Sequence, residues 1–150
     1  MYKLQFFTFI FNNGFNLLVV NVYLPCFESE LDYKLALLDC LEYIQNCSVC
    51  IAYDGMILLG DFDFECKDGA VGYKILQNLL CDYNLKCCEN TVDGSVDYTY
   101  FQDTLGRYSV IDHMFVDEKL YSSIIKHSVI ESGVNFSDHI PISCTFFWFT

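Results

Sequence analysis

Leu17-Leu18-Val19-Val20-Asn21-Val22-Tyr23, closed by Leu24-Pro25, is apolar and β-branched on both of its alternating sets of positions. A strand with one wet face alternates apolar with polar residues; this one does not, so it reads as a central strand buried on both faces. Pro25 has no N–H for a ladder and ends it. Upstream, residues 2–11 are a second apolar run, and Asn12-Asn13-Gly14 supplies the turn residues between them. Residues 2–11 and 15–24 therefore read as a β-hairpin.

Downstream, Ser29 to Asn46 reads as a helix. Ser29 can cap its free N–H groups with Asp32 three residues on, and Leu31, Leu35, Leu38 and Leu41 recur at spacings of three and four. Ile57-Leu58-Leu59 is a short buried strand that feeds Gly60-Asp61. Gly72 to Tyr83 is a second helix with Ile75, Leu76, Leu79, Leu80 and Tyr83 as its stripe. Asp97 to Phe101 and Ser109 to Val116 read as paired strands around Leu105-Gly106, and Asp117 to Ser122 as a helical turn. Ser128 to Glu131 and Ile142 to Phe149 are the last strands, with Ser137-Asp138-His139 in the loop between them. The order gives an α/β fold: a mixed, mostly antiparallel sheet with helices on one face. The opposite face also needs a cover, and no helix is left over for it.

The 150 residues suffice for one domain. Apolar residues make up 53% and aromatics 17%, enough for a core and for apolar surface that awaits another layer. The net charge of -12, with 8 basic residues, argues against tight, sequence-independent binding to nucleic acid by this chain alone, although a metal site uses carboxylates. The nine cysteines form no framework. Cys47-x-x-Cys50 is a lone pair and Cys87-Cys88 is poor chelate geometry, so reduced, partly buried thiols of an intracellular protein are expected rather than a zinc or redox site. Leu4 to Phe11 behind Lys3 faintly has the look of a signal peptide, but the hairpin explains it better. No stretch reaches the roughly 18 apolar residues of a membrane span, so no membrane partner is expected.

Three segments carry chemistry: Gly60-Asp61-Phe62-Asp63, Ser109-Val110-Ile111-Asp112-His113 and Ser137-Asp138-His139. Each puts a carboxylate or an imidazole at a strand end. Several Asp residues and one His suit a hydrated divalent cation and a phosphate ester: the carboxylates hold the ion, and the imidazole moves a proton or stabilises phosphoryl charge. His113 alternates with Asp112 along its strand and points to the other face, a structural role. His127 has no motif around it and is expected on the surface. Phe146-Phe147-Trp148-Phe149 reads as a core strand.

In order along the chain, Asn21-Val22-Tyr23-Leu24-Pro25, Leu58-Leu59-Gly60-Asp61-Phe62, Tyr98-Thr99-Tyr100, Ser109-x-Ile111-Asp112-His113 and Ser137-Asp138-His139-x-Pro141 resemble the C-terminal half of the endonuclease/exonuclease/phosphatase superfamily. The nearest flavour is the apurinic-type endonuclease of non-LTR retrotransposons. The resemblance implies half of a four-layered α/β sandwich, so that residues 1–150 would be a single incomplete domain lacking the N-terminal half. It implies Mg²⁺, or Mn²⁺ in its place, and DNA as substrate. The implied partner is the missing half, or a reverse transcriptase region in a longer polyprotein, in the nucleus or cytoplasm.

By the same resemblance, His139 is the catalytic histidine, Asp112 orients it, and Asp61 positions or activates the attacking water. Asp138 lies near the metal, Tyr23 contacts the phosphate, and Asp63 stands where an Asn usually helps to hold phosphate and water. Two departures follow. A carboxylate at 63 cannot donate a hydrogen bond to a phosphoryl oxygen and repels Asp61. The family's metal-ligating Glu has no counterpart before residue 17. The chain is thus expected to be an impaired DNA-nicking enzyme, with an inactive remnant or another phosphoesterase of the superfamily as the alternatives.

Overall fold

A computed structural model describes residues 1–67, 69–90, 97–130 and 136–147. Strands β1 (Lys3–Ile10) and β2 (Asn16–Tyr23) form the expected antiparallel hairpin. Its turn is closed by Gly14 N–H donating to the Phe11 carbonyl at 2.9 Å. Helix α1 (Glu30–Ser48) crosses over to β3 (Gly55–Asp61), which runs parallel to β2. Then come α2 (Val71–Asp82), β4 (Leu85–Cys87), a small hairpin of β5 (Tyr100–Gln102) and β6 (Arg107–Ser109), and β7 (Asp112–Asp117). A short α3 (Glu118–Tyr121) leads to a second hairpin, β8 (Ile124–Val129) with β9 (Ile142–Phe146).

The main sheet has the order β1-β2-β3-β7-β4, and every neighbour pair except β2/β3 is antiparallel. It is the mixed, mostly antiparallel sheet that the element order predicts. On one face, Leu18, Val20, Val22, Met56, Leu58 and Phe115 pack under α1 and α2 through Leu37, Ile44, Leu76 and Leu79. On the other, Leu17, Ile57, Met114 and Val116 meet Leu120 of α3 and the inner side of the β8/β9 hairpin. That hairpin supplies a cover that the sequence did not offer as a helix. It does not reach β1, where Phe7 and Phe9 stay 44% and 51% exposed.

Some expectations are corrected. The buried face of α1 is Leu37, Cys40, Leu41 and Ile44, while Leu31, Leu35 and Leu38 face outward. Both stripes satisfy helical spacing; the inner one also brings Tyr33 Oη within 3.0 Å of the Phe62 carbonyl. The expected strand 109–116 is two strands, because Ile111 N–H and Asp112 N–H both donate to Thr99 Oγ1 and the chain changes sheets there. The three-residue β4 is too short to show a period. His127 is buried, not on the surface: it faces Cys144 of β9 in the inner layer, and among the described residues neither of its ring nitrogens has a hydrogen-bond partner. Glu131, Trp148 and Phe149 of the expected strands lie outside the described residues.

None of the nine cysteines is in a disulfide. Cys87 and Cys88 belong to opposite faces of the sheet, which explains why adjacency gives no chelate. Among the described residues, no helix is long and apolar enough to cross a membrane.

Candidate active site

The C-terminal end of β3 carries the site because Gly60 lets two strands close over it. Gly60 has φ +136°, and a Cβ there would lie 1.9 Å from the Val22 carbonyl oxygen, so only glycine permits the pairing that holds Asp61. The ladder then runs past the strand end: Leu24 N–H donates to the Asp61 carbonyl and Phe62 N–H to the Ile111 carbonyl, each at 2.9 Å. In register, Asp61 sits between Tyr23 of β2 and Asp112 of β7.

His139 arrives from the loop before β9. It forms a lone antiparallel bridge with Tyr100, and the two rings lie 4.9 Å apart. Phe101 N–H donates to the Asp138 carbonyl at 2.9 Å and Ile140 N–H to the Thr99 carbonyl at 2.7 Å. Thr99 is fully buried, and its Oγ1 accepts from Ile111 and Asp112, each at 3.0 Å. One residue thus ties the histidine's segment, through its carbonyl, to the strand that carries Asp112, through its hydroxyl. The Tyr98-Thr99-Tyr100 block is visible in the sequence; this bracing role is not, because both partners lie far along the chain.

The imidazole Nδ1 of His139 is 2.8 Å from Asp112 Oδ2, and its Nε2 is 3.9 Å from Asp61 Oδ2. A carboxylate can only accept, so Nδ1 carries the proton and Nε2 faces Asp61. Burial pushes the Asp61 carboxyl up to about 6; the charges of Asp112 and Asp63 add to the rise, while Asp63 N–H on Oδ1 and nearby His139 oppose it. Burial alone would lower His139, but the hydrogen bond and charge of Asp112, with the charges of Asp61 and Asp138, leave it raised.

Asp63 follows at φ +54°, a left-handed conformation that Asp and Asn tolerate best among residues with a Cβ. Its N–H donates to Asp61 Oδ1 at 3.0 Å, and the Cys26 thiol hydrogen-bonds its carboxylate. Burial is the main cause of its raised pKa. Tyr23 is 43% exposed beside Asp61. Asp138 is exposed and outside the cluster, reaching His139 through its charge. Of the six residues singled out in the sequence, the fold therefore gathers Asp61, Asp112 and His139, sets Asp63 and Tyr23 at their border, and leaves Asp138 outermost. His113 lies on the opposite sheet face, fully buried, its ring between Glu89 and the Phe64 carbonyl.

Among the described residues, one group could hold a metal ion: Asp61, Asp112 and His139, with donor atoms all within 4.8 Å of one another. His139 Nδ1 is engaged by Asp112, so the carboxylates are the natural ligands. Two carboxylates and an open side suit Mg²⁺ or Mn²⁺, which keep several waters. A cleft of about 290 Å³, lined by Asp112 and His139 with Leu59, Ile140, Pro141 and Ile142, opens beside them.

No protein-family model matches the sequence, and no curated protein is significantly similar to it. Solved structures do match in fold. A 3′–5′ exonuclease from Neisseria meningitidis superposes with a TM-score of 0.67 at 22% identity, over 88% of this chain and 62% of that one. A mannosyl-6-phosphatase from Bacteroides thetaiotaomicron gives 0.65 at 18%, over 91% and 53%. An AP endonuclease from Archaeoglobus fulgidus gives 0.60 at 16%, over 87% and 61%. The fold is that of endonuclease/exonuclease/phosphatase proteins, and the chain spans between half and two thirds of these neighbours' length.

Proposed function

We propose that the chain carries the catalytic rim of a metal-dependent phosphodiesterase that nicks DNA, of the non-LTR retrotransposon type. The observation behind this is the convergence of His139, Asp112 and Asp61 from three separated segments onto one sheet rim, with the imidazole held by one carboxylate and facing the other. Asp61, ionised above about pH 6, takes the proton of the attacking water. As the water oxygen bonds to phosphorus and the P–O bond to the leaving oxygen breaks, that oxygen departs as an alkoxide and takes a proton from solvent, while protonated His139 stabilises the phosphoryl oxygens and Asp112 holds its orientation. Tyr23 donates a hydrogen bond from its hydroxyl to the phosphate. A Mg²⁺ or Mn²⁺ ion on the carboxylates, with Asp138 at its margin, would neutralise charge and polarise the phosphoryl group.

The motif order supports the retrotransposon branch; in this reading a further segment, of the same polyprotein or another chain, would add a ligand to the ion. Such an enzyme would work inside the cell, in the nucleus or cytoplasm. Asp63 favours a second reading, a catalytically inactive relative, since it places a third carboxylate where a phosphate must dock. The test is nicking of supercoiled plasmid in Mg²⁺ by the wild type and by His139→Ala. We expect His139→Ala to lose on the order of 10³-fold in rate. Equal rates in the two proteins, or no nicking by either, would favour the inactive reading.

A further inference from the structure

The acidic rim is one end of a longer row. Asp112 is the Cα partner of Asp61, Asp61 of Tyr23, and Tyr23 of Lys3. Residues in register on neighbouring strands leave the same face, and strands lie about 4.8 Å apart, so the row runs about 14 Å across β7, β3, β2 and β1. The Lys3 ammonium is 5.7 Å from the centre of the Tyr23 ring, which confirms the shared face. One rung further in on that face, Asn21 and Gln5 are partners, and Asn21 Nδ2 donates to Gln5 Oε1 at 3.1 Å. In sequence along the row come two carboxylates, an aromatic ring and an ammonium, with a pair of amides alongside.

Lysine on an edge strand also serves to discourage edge-to-edge pairing. That role needs no aromatic ring or amide pair on the site's own face. Lys34, Lys67 and Lys86 are each ion-paired to a glutamate; among the described residues Lys3, Lys74, Lys119 and Lys126 form no salt bridge, and of these four only Lys3 lies in register with the rim. In a chain with 8 basic residues against 20 acidic ones, an unneutralised ammonium in line with a phosphate-handling rim stands out.

We propose that Lys3, Tyr23 and the Asn21–Gln5 pair form a subsite for the nucleotide adjoining the scissile phosphate. The ammonium takes the neighbouring phosphate, the Tyr23 ring packs against sugar or base, and the amides bond a base edge. The subsite makes the substrate a polynucleotide strand rather than a small phosphate ester. It rests on the phosphodiesterase reading of the rim and deepens it.

The test separates the two. Binding of a fluorescein-labelled single-stranded DNA oligonucleotide is followed by anisotropy over a KCl series in Ca²⁺ for the wild type, Lys3→Met, Tyr23→Leu and Lys74→Met. Lys74 sits on α2, over the opposite sheet face. In parallel, the wild type is assayed in Mg²⁺ on bis(4-nitrophenyl) phosphate, which reports on the rim alone. Lys3→Met should weaken binding several-fold and reduce the slope of log K against log[KCl] by about 0.7, the loss of one phosphate contact. Tyr23→Leu should weaken binding roughly 5- to 100-fold with the slope unchanged, and Lys74→Met should match the wild type. Absence of oligonucleotide binding, an unchanged slope in Lys3→Met, or an equal change in Lys74→Met overturns the subsite. Hydrolysis of the small diester with an unchanged Lys3→Met slope would leave the rim standing alone. A Lys3-dependent slope with neither hydrolysis of the small diester nor nicking of plasmid would keep the subsite and remove the catalytic reading.

Discussion

Asp61 sits in a contest between burial and its neighbours. Burial and two flanking carboxylates raise its pKa, and one backbone N–H with a nearby imidazole lowers it. In metal-free protein its carboxyl resonance should titrate near pH 6, and in Asp63→Asn at a lower pH, because one repelling charge is gone. Asn suits the left-handed backbone at 63 as well as Asp does, so the fold should not change. Adding Mg²⁺ should lower the value further. A second residue-scale prediction concerns Thr99, whose hydroxyl oxygen satisfies two backbone N–H groups. Thr99→Val keeps the shape and removes the acceptor. Urea unfolding should show a loss of about 2–4 kcal/mol, the cost of leaving both donors unsatisfied.

Among the elements, β7 shows how one strand serves both faces. Asp112 faces the site and His113 the helical layer, an alternation that the strand period predicts. His113 Nε2 meets the Phe64 carbonyl and its Nδ1 the Glu89 carboxylate; both partners only accept, so the ring is an imidazolium. Burial works against that charge, but Glu89 and Phe64 outweigh it and the pKa is raised above 6.5. The resulting stabilisation is full below pH 6.5 and fades as pH rises through the folded value. His127, whose burial lowers its pKa, contributes the opposite way: its share is full above 6.5 and fades as pH falls below it. Glu89→Gln should therefore cost about 3 kcal/mol near pH 6. It should also show a smaller loss of stability than the wild type between pH 6 and 9, measured by chemical denaturation at each pH.

At the scale of the whole molecule, surface is in excess. The accessible area is 9023 Å², where a compact monomer of 17.4 kDa would show about 7,900 Å². The difference is comparable with the roughly 800 Å² that each partner buries in a standard interface. Part of it is the β1 end of the sheet, with Phe7 and Phe9 in view and, among the described residues, no strand paired to the outer edge of β1. Light scattering after size exclusion should find the wild type heavier than 17.4 kDa at micromolar concentration. Phe7→Lys with Phe9→Lys should move it towards the monomer mass. A wild type that is monomeric at all concentrations would count against an exposed, adhesive face.

The sequence by itself determined the hairpin, both main helices and the central strand, because period, caps and turn residues act within a few positions of one another. It also marked Asp61, Asp112 and His139, since a carboxylate or imidazole at a strand end stands out against apolar runs. Tertiary structure decided the rest. It chose between the two apolar stripes of α1, split the expected strand 109–116 between two sheets at Thr99, buried His127, and kept Asp138 outside the cluster. Those outcomes depend on contacts between residues tens of positions apart, where burial and hydrogen-bond satisfaction outweigh local propensity. The row from Lys3 to Asp112 belongs with them, because strand register follows from which strands become neighbours.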